Sequence, residues 1–177
     1  MDELLHQVTR TAVDPALEIL PRYLDSDRAR VMLLAIGLQE SKLVHRWQVV
    51  DLARPEIKGP ARGLEQFELG SKASKGGVWG VYLHRASHEL LRELCRARNL
   101  GFEPRNVWGQ LEHDDVLAMG VARLLLLTDP RPLPAVDDQR AAWKYYLRTW
   151  QPGKPKPQPW PGHHDRARAF VSSTRGA

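Results

Sequence analysis

Apolar residues after Arg28 follow the spacing of a packed helix. They recur three or four positions apart and so share one face: Val31, Leu34, Ala35 and Leu38. Residues 25–27 (Asp-Ser-Asp) precede this stripe, and their short side-chain oxygens can accept hydrogen bonds from the unpaired N–H groups of a first helical turn. The pattern predicts a core helix that begins near Arg28 and carries Glu40 close to its C-terminal end.

The same periodicity predicts helices on both sides of this one. An amphipathic stretch covers residues 4–24, with interruptions at Pro15 and Pro21 because proline cannot donate a helical hydrogen bond. Helical spacing returns at 85–98 and again at 114–127, where leucine is so dense that the helix is expected to be buried nearly all round.

The remaining segments have other patterns. Residues 44–83 contain many glycines between short apolar pieces and predict brief strands or loops rather than helix. A late helix starts after Asp137 or Asp138 and carries several aromatic residues. The proline-rich residues 151–160 predict an extended strap, and a short C-terminal helix is expected at 165–171.

These elements predict a single, mainly α domain. The chain has 177 residues, enough for one domain, and 42% of them are hydrophobic, enough to fill a core. Residues 1–150 form the expected helical body. Residues 151–177, the strap and the C-terminal helix, are expected to pack on it.

The charge is mildly basic. Lys and Arg total 26 against 21 Asp and Glu, which gives a net charge of +5. Such a surface favours a polyanionic partner, either nucleic acid, anionic lipid or an acidic cell wall, and it equally fits a surface that is merely solvated. The charge alone does not choose among these.

The single Cys95 excludes an internal disulfide framework and fits folding in a reducing cytosol. Residues 1–6 include two acids and no long apolar run, so no signal peptide is expected, and another factor would have to carry the protein to a cell wall or periplasm. The most apolar segment, 116–127, contains Arg123 and is too short to span a bilayer.

Three motifs stand in order along the chain: Leu38-Gln39-Glu40-Ser41, then Gly63-Leu64-Glu65-Gln66-Phe67-Glu68, then the aromatic helix of residues 143–150. In these motifs the chain resembles the lytic transglycosylase and goose-type lysozyme superfamily. Those enzymes have a catalytic Glu followed by Ser at the end of a buried helix, next a Gly-Leu-x-Gln-apolar motif, and later a helix with a Tyr that faces the cleft. Residues 35–41 and 59–64 look most like the phage-encoded members.

The resemblance implies a lysozyme-like α+β fold, with the cleft between the Glu40 helix, the glycine-rich segment and the later helices. It implies an enzyme that cleaves the β-1,4 bond between N-acetylmuramic acid and N-acetylglucosamine, without a metal or an organic cofactor. The expected partners are peptidoglycan strands and, for a protein carried in a phage particle, other virion proteins. A membrane or nucleic-acid partner is not expected.

Glu40 suits the role of catalytic acid. Breaking a glycosidic bond requires a proton on the leaving oxygen, so the acid must hold its proton near neutral pH. A Glu that projects from a buried helix into an apolar cleft loses hydration, and its pKa rises. Leu38 and Leu43 flank Glu40 in the sequence and would supply such surroundings.

The resemblance also implies the supporting residues. Ser41 and Gln66 are expected to orient groups around the acid. Gly63 would let the backbone turn tightly and approach the sugar closely. Leu64 and Phe67 are expected to pack under the cleft floor.

A second carboxylate decides the reaction. Hydrolases need a base or nucleophile opposite the acid, whereas lytic transglycosylases use one Glu because the C6 hydroxyl of the substrate attacks and leaves a 1,6-anhydro sugar. The candidates are Asp51, Glu56, Glu65 and Glu68. Glu68 is the best placed, since goose-type lysozymes carry an acid directly after this motif. Glu65 stands where the family usually has Met, and its carboxylate is expected simply to face solvent. A transglycosylase is favoured over a muramidase that uses Glu40 with Glu68.

The late helix offers two tyrosines for the cleft. Tyr146 lies on the same stripe as the Trp residues of this helix, whereas Tyr145 points about 100° away. The stripe is also typical of a core. Tyr146 is favoured, with Tyr145 as the alternative.

The glycine-rich residues 74–84 offer a possible glycan-binding loop. Their backbone would admit a chain of sugars, and Trp79 or Tyr82 would stack on a pyranose ring. A plain turn between short strands fits the same residues.

Other classes of function compete with the enzyme. A non-catalytic virion or nucleic-acid-binding protein would also be basic, although no DNA- or RNA-binding signature is present, and a degenerate module kept for structure would have nearly the same sequence. A zinc site at His84 and His88 lacks a third ligand. Cys95 lies in the middle of a predicted helix, without the turn that a nucleophile needs.

Overall fold

Helices make up most of the chain in the computed structural model, which describes residues 2–175 and leaves residues 1, 176 and 177 of the predicted domain outside. In chain order they are α1 (Glu3–Val8), α2 (Asp14–Ile19), α3 (Asp27–Ser41), α4 (Gly77–Leu83), α5 (His88–Ala97), α6 (Pro104–Gln110), α7 (Asp115–Thr128), α8 (Gln139–Trp150) and α9 (Trp160–Arg175). A π-helical turn at Thr9–Val13 and a 3-10 turn at Arg22–Leu24 complete the helical segments. β1 (Trp47–Val49) pairs antiparallel with β2 (Lys58–Arg62). The fold is mainly α, as predicted.

The first helical stretch passes through Pro15 without a break, so the predicted interruption there is wrong. α1, the π-helical turn and α2 follow one another directly. Pro15 lies in the first turn of α2, where a missing N–H is tolerated. In the π-helical turn that precedes Pro15, the Asp14 N–H donates its hydrogen bond to the Thr9 carbonyl, five residues earlier in the chain. α2 ends at Ile19, ahead of Pro21, as expected.

α3 is the central helix, and its prediction is confirmed. Ser26 caps its start by accepting a hydrogen bond of 3.2 Å from the Ala29 N–H. Residues 31–38 are all buried, because α9 packs along α3 and α7 also contacts it. α9 is longer than predicted: it begins at Trp160, and Pro161 suits the first turn of a helix.

The glycine-rich middle contains a helix that the sequence did not predict. Val78 and Val81 of α4 are fully buried, and α4 packs on α7. The glycines in this segment let two parts of the backbone approach each other closely, and they do not mark a flexible loop. A β-carbon on Gly80 would lie 2.5 Å from the Lys75 carbonyl oxygen. α6, which starts at Pro104, was also not predicted.

Side-chain caps and one polar contact complete the helical body. The Asp114 and Asp138 carboxylates accept hydrogen bonds of 2.9 Å from N–H groups in the first turns of α7 and α8. Asp138, and not Asp137, is therefore the residue that caps α8. Residues 151–159 form no helix or strand. The Gln39 amide donates to the Lys156 carbonyl at 2.8 Å and fastens this strap to α3. None of the described helices is long and apolar enough to cross a membrane.

Candidate active site

Glu40 occupies the last turn of α3, where the helix ends in a fixed conformation. Lys42 and Leu43 have φ angles of 62° and 58°, which cost non-glycine residues about 1–3 kcal/mol each. Their N–H groups donate to the carbonyls of Leu38 and Gly37 at 3.3 and 3.2 Å, and the Leu43 side chain returns to the core. These contacts fix the position of Glu40.

The Glu40 carboxyl is partly buried and has a hydrogen-bond donor. The Tyr146 hydroxyl of α8 donates to Glu40 Oε1 at 2.6 Å. Burial raises the pKa of Glu40 above its usual value, and the hydrogen bond from Tyr146 lowers it by a smaller amount. Burial and the nearby Glu40 charge both raise the pKa of Tyr146, so the phenol stays neutral and keeps its donor. Glu40 therefore retains its proton to a higher pH than an exposed Glu.

The two tyrosines of α8 have separate roles. Tyr145 is buried, its hydroxyl donates to the Leu126 carbonyl at 2.7 Å, and burial raises its pKa to about 12. The Tyr146 ring stacks on Trp160, with 5.3 Å between ring centroids, while its hydroxyl reaches Glu40. The structure brings Tyr146, and not Tyr145, to the acid.

Ser41 ties the end of α3 to the turn at residues 63–66. Its buried Oγ donates to the Leu64 carbonyl at 2.6 Å, so it acts on the turn backbone, and none of its hydrogen bonds among the described residues reaches Glu40. Gly63 has a φ of 76°, which favours glycine, and its N–H donates to the Arg46 carbonyl at 2.8 Å.

Gln66 also holds this turn together. It has a φ of 50°, and its Nε2 donates to the Gly63 carbonyl at 2.8 Å and to the His45 carbonyl at 3.3 Å. Leu64 and Phe67 are buried beside it. The turn thus brings Gln66 to the same groove as Glu40, with two apolar side chains anchoring it.

Glu65 is fully buried, so the expectation that it faces solvent is wrong. Its exposed fraction is 0%, and neither carboxyl oxygen has a hydrogen-bond partner among the described residues. The turn is drawn inward because its backbone is bonded to α3 through Ser41 and to α8 through Trp150, whose indole donates to the Glu65 carbonyl at 3.0 Å. Burial, and then the charge of Glu40, raises the pKa of Glu65 well above its ordinary value.

A groove of about 1560 Å³ runs past Glu40 and Tyr146. Glu68 lines it and is exposed, and glycines of the 70–80 segment line it as well. Trp79 is not among the lining residues: it packs edge-on against Tyr82, with 5.6 Å between ring centroids. The groove therefore contains the acid, its tyrosine and Glu68, without the Trp that was expected to stack on sugar.

Most basic side chains of the groove have no ion-pair partner among the described residues: Lys72, Lys75, Arg85, Lys154 and Lys156. Arg148 is the exception, since it pairs with Asp129 at 2.9 Å. Away from the groove, by contrast, many arginines are paired, as Arg30 is with Asp25 at 2.7 Å. The groove therefore holds positive charge that the protein itself does not neutralise.

Comparisons of the chain with protein-family models, curated proteins and solved structures find no match. Within residues 2–175, no group of three His, Cys, Asp or Glu side chains is arranged to hold a metal ion. Cys95 is buried, and burial raises the pKa of its thiol to about 11, which disfavours a nucleophilic thiolate.

Sequence reasoning missed two contributors to the groove. Trp150 was assigned to the aromatic stripe alone, but its indole N–H also holds the 63–66 turn. The Gln39 Oε1 accepts a hydrogen bond from His163 Nδ1 at 3.0 Å, and its Nε2 donates to the Lys156 carbonyl at 2.8 Å. Its position beside Glu40 was a signal for Gln39, whereas nothing in the strap composition indicated where the strap would dock.

Proposed function

We propose that the chain is a lysozyme-like enzyme that cleaves the β-1,4 bond between N-acetylmuramic acid and N-acetylglucosamine in peptidoglycan. The observation that carries the proposal is the Glu40 carboxyl on a groove, bonded to Tyr146 and with a pKa raised by burial. A glycosidic oxygen leaves once it receives a proton, and an acid with a raised pKa supplies that proton near neutral pH.

The groove supports a polymeric, anionic substrate. Its volume of about 1560 Å³ exceeds the roughly 300–1000 Å³ typical of a site for a drug-sized molecule. Its unpaired lysines and Arg85 would attract the acidic groups of a cell wall.

A lytic transglycosylase needs only Glu40. The Glu40 proton moves to the leaving oxygen, the C6 hydroxyl oxygen of the muramic acid attacks C1, and the proton of that hydroxyl returns to the Glu40 carboxylate. The product carries a 1,6-anhydro ring, and no water enters. Glu65 is fully buried and does not line the groove, which argues against it as a base that activates water.

A hydrolytic muramidase is the second candidate. Glu68 is exposed and lines the same groove as Glu40. A carboxylate there would activate a water or stabilise the sugar cation.

Mass spectrometry of digested peptidoglycan sacculi tests both candidates. A transglycosylase releases anhydro-ended muropeptides, and a muramidase releases reducing-ended ones that are heavier by one water. Glu40→Gln should lower either activity by roughly a hundredfold or more while circular dichroism shows an intact fold. Glu18→Gln, at an exposed position of α2, is the matched control and should be as active as the wild type. An inactive wild type, or a fully active Glu40→Gln, would refute the proposal.

A further inference from the structure

Glu65 differs from the other buried carboxylate among the described residues. Glu112 is buried too, but it is held by ion pairs with Lys58 and Arg62. Glu65 has no such pair, and both of its carboxyl oxygens are without hydrogen bonds among the described residues. A buried polar group left unpaired is unfavourable for folding, and such groups concentrate at functional sites.

The groups that face Glu65 do not favour its ionised form. A β-carbon built on Gly37 would lie 2.6 Å from Glu65 Oε1, so this carboxyl lies against α3, one turn before Glu40. Tyr146 of α8 is a further titratable group near Glu65: burial, and then any negative charge on Glu40 or Glu65, raises the pKa of its phenol, so it carries no positive charge that would stabilise an ionised Glu65. No Lys or Arg among the described residues pairs with Glu65. Its carboxyl is therefore neutral, with a proton available for donation.

We propose that Glu65 is a positioning residue whose protonated carboxyl donates a hydrogen bond to Glu40 once Glu40 has given its proton to the leaving oxygen. This inference rests on the proposed function. Tyr146 already occupies Glu40 Oε1, so Oε2 accepts the new bond after a change in the Glu65 side-chain torsions. The Glu65 proton stays on Glu65 throughout.

Such a bond would assist the reaction selectively. The Glu65 carboxyl has no hydrogen-bond partner among the described residues, and negative charge on Glu40 would make the Glu40 carboxylate a much stronger acceptor for the Glu65 proton. An interaction that strengthens as charge develops lowers the barrier, whereas one present equally in the substrate complex does not. The bond should therefore affect kcat and leave KM nearly unchanged.

Two variants at this position separate donation from packing. Glu65→Gln keeps an N–H donor and cannot ionise, and Glu65→Met fills similar space without a donor. The pKa of Glu40 is followed by carbon-13 NMR of labelled Glu carboxyls, without substrate, and kcat is followed against pH on sacculi. Glu65→Met should raise the Glu40 pKa by about one unit and lower kcat roughly tenfold, because the carboxylate has lost a donor. Glu65→Gln should stay close to the wild type in both.

The outcomes are distinct. The inference is wrong if Glu40 titrates in Glu65→Met as in the wild type, or if Glu65→Gln loses as much activity as Glu65→Met. The NMR titration needs no substrate, so it can be carried out even if the wild type is inactive on sacculi. In that case the lack of activity would refute the proposed function, whereas a raised Glu40 pKa in Glu65→Met would still support the donor role. Should Glu65→Met not fold, Glu65→Leu provides the same comparison.

Discussion

The Tyr146 hydroxyl donates to Glu40 Oε1 at 2.6 Å, although the two residues are 106 positions apart in the chain. The bond joins α8 to the end of α3 and opposes the effect of burial on the Glu40 pKa. The proton affinity of this acid is therefore set by two opposing influences, and burial is the larger. Each can be altered separately.

Tyr146→Phe removes the donor and leaves burial, so the pKa of Glu40 should rise further. Acid catalysis requires protonated Glu40, so the alkaline limb of the kcat profile should move to higher pH by about one unit. The measurement is a pH–rate profile on sacculi. Tyr145→Phe is the control: it loses the hydrogen bond to Leu126 and about 1 kcal/mol of stability, but its alkaline limb should not move. A limb that stays in place in Tyr146→Phe would contradict the role given to this bond.

Glu65 should make the protein less stable as pH rises. Its pKa in the folded protein lies well above the ordinary 4.5, so between these values the folded state binds a proton that the unfolded state lacks. The free energy of unfolding then falls with pH by up to about 1.4 kcal/mol per pH unit, and this loss ends above the folded pKa. Glu65→Gln should match the wild type in acid and exceed it at neutral pH.

Urea unfolding at about pH 4, 6 and 8 measures this effect. Glu18→Gln, which changes an exposed carboxylate, should follow the wild-type pH dependence. If Glu65→Gln shows the wild-type dependence as well, Glu65 is ionised in the folded protein.

The spacing of apolar residues and the capping residues correctly predicted the helices whose formation depends on neighbouring residues in the chain. The apolar stripe and the Ser26 cap predicted α3, and the aromatic stripe predicted α8. The order of motifs singled out Glu40 and Tyr146, but only the tertiary fold, in which α9 packs on both α3 and α8, brings the two side chains together.

The environment of Glu65 was beyond prediction for a physical reason. A Glu in a short glycine-led turn is ordinarily exposed, and its burial here depends on bonds from Ser41 and Trp150, which are distant in sequence. α4 was missed because glycines, read as loop residues, serve close backbone contacts such as that of Gly80 with Lys75.

Gly37 provides space beside the acid. A β-carbon at this position would overlap the Leu43 side chain and lie 2.6 Å from Glu65 Oε1. Gly37→Ala should therefore lower stability by about 1–3 kcal/mol through overpacking, despite the better helix propensity of Ala, and should lower activity by displacing Glu65. Gly109→Ala is the control, because nothing lies within 4 Å of its β-carbon in α6, and it should gain about 0.5–1 kcal/mol. Urea unfolding compares the stability of the two variants. A Gly37→Ala protein more stable than the wild type would show that the space next to Leu43 and Glu65 does not require a glycine.

The lysines of the strap should contribute to binding an anionic wall. Lys154 and Lys156 line the groove without ion-pair partners among the described residues. The double variant Lys154→Gln with Lys156→Gln should therefore raise KM for sacculi by roughly 2–10-fold at low salt and leave kcat nearly unchanged. The difference should shrink as salt rises, because the screening length falls from about 10 Å at 0.1 M to about 3 Å at 1 M. Gln at both Arg140 and Lys144 removes the same charge from exposed positions of α8 that do not line the groove. Because both double variants lower the net charge of +5 by two, an equal rise in KM would mean that overall charge, and not the groove, attracts the substrate.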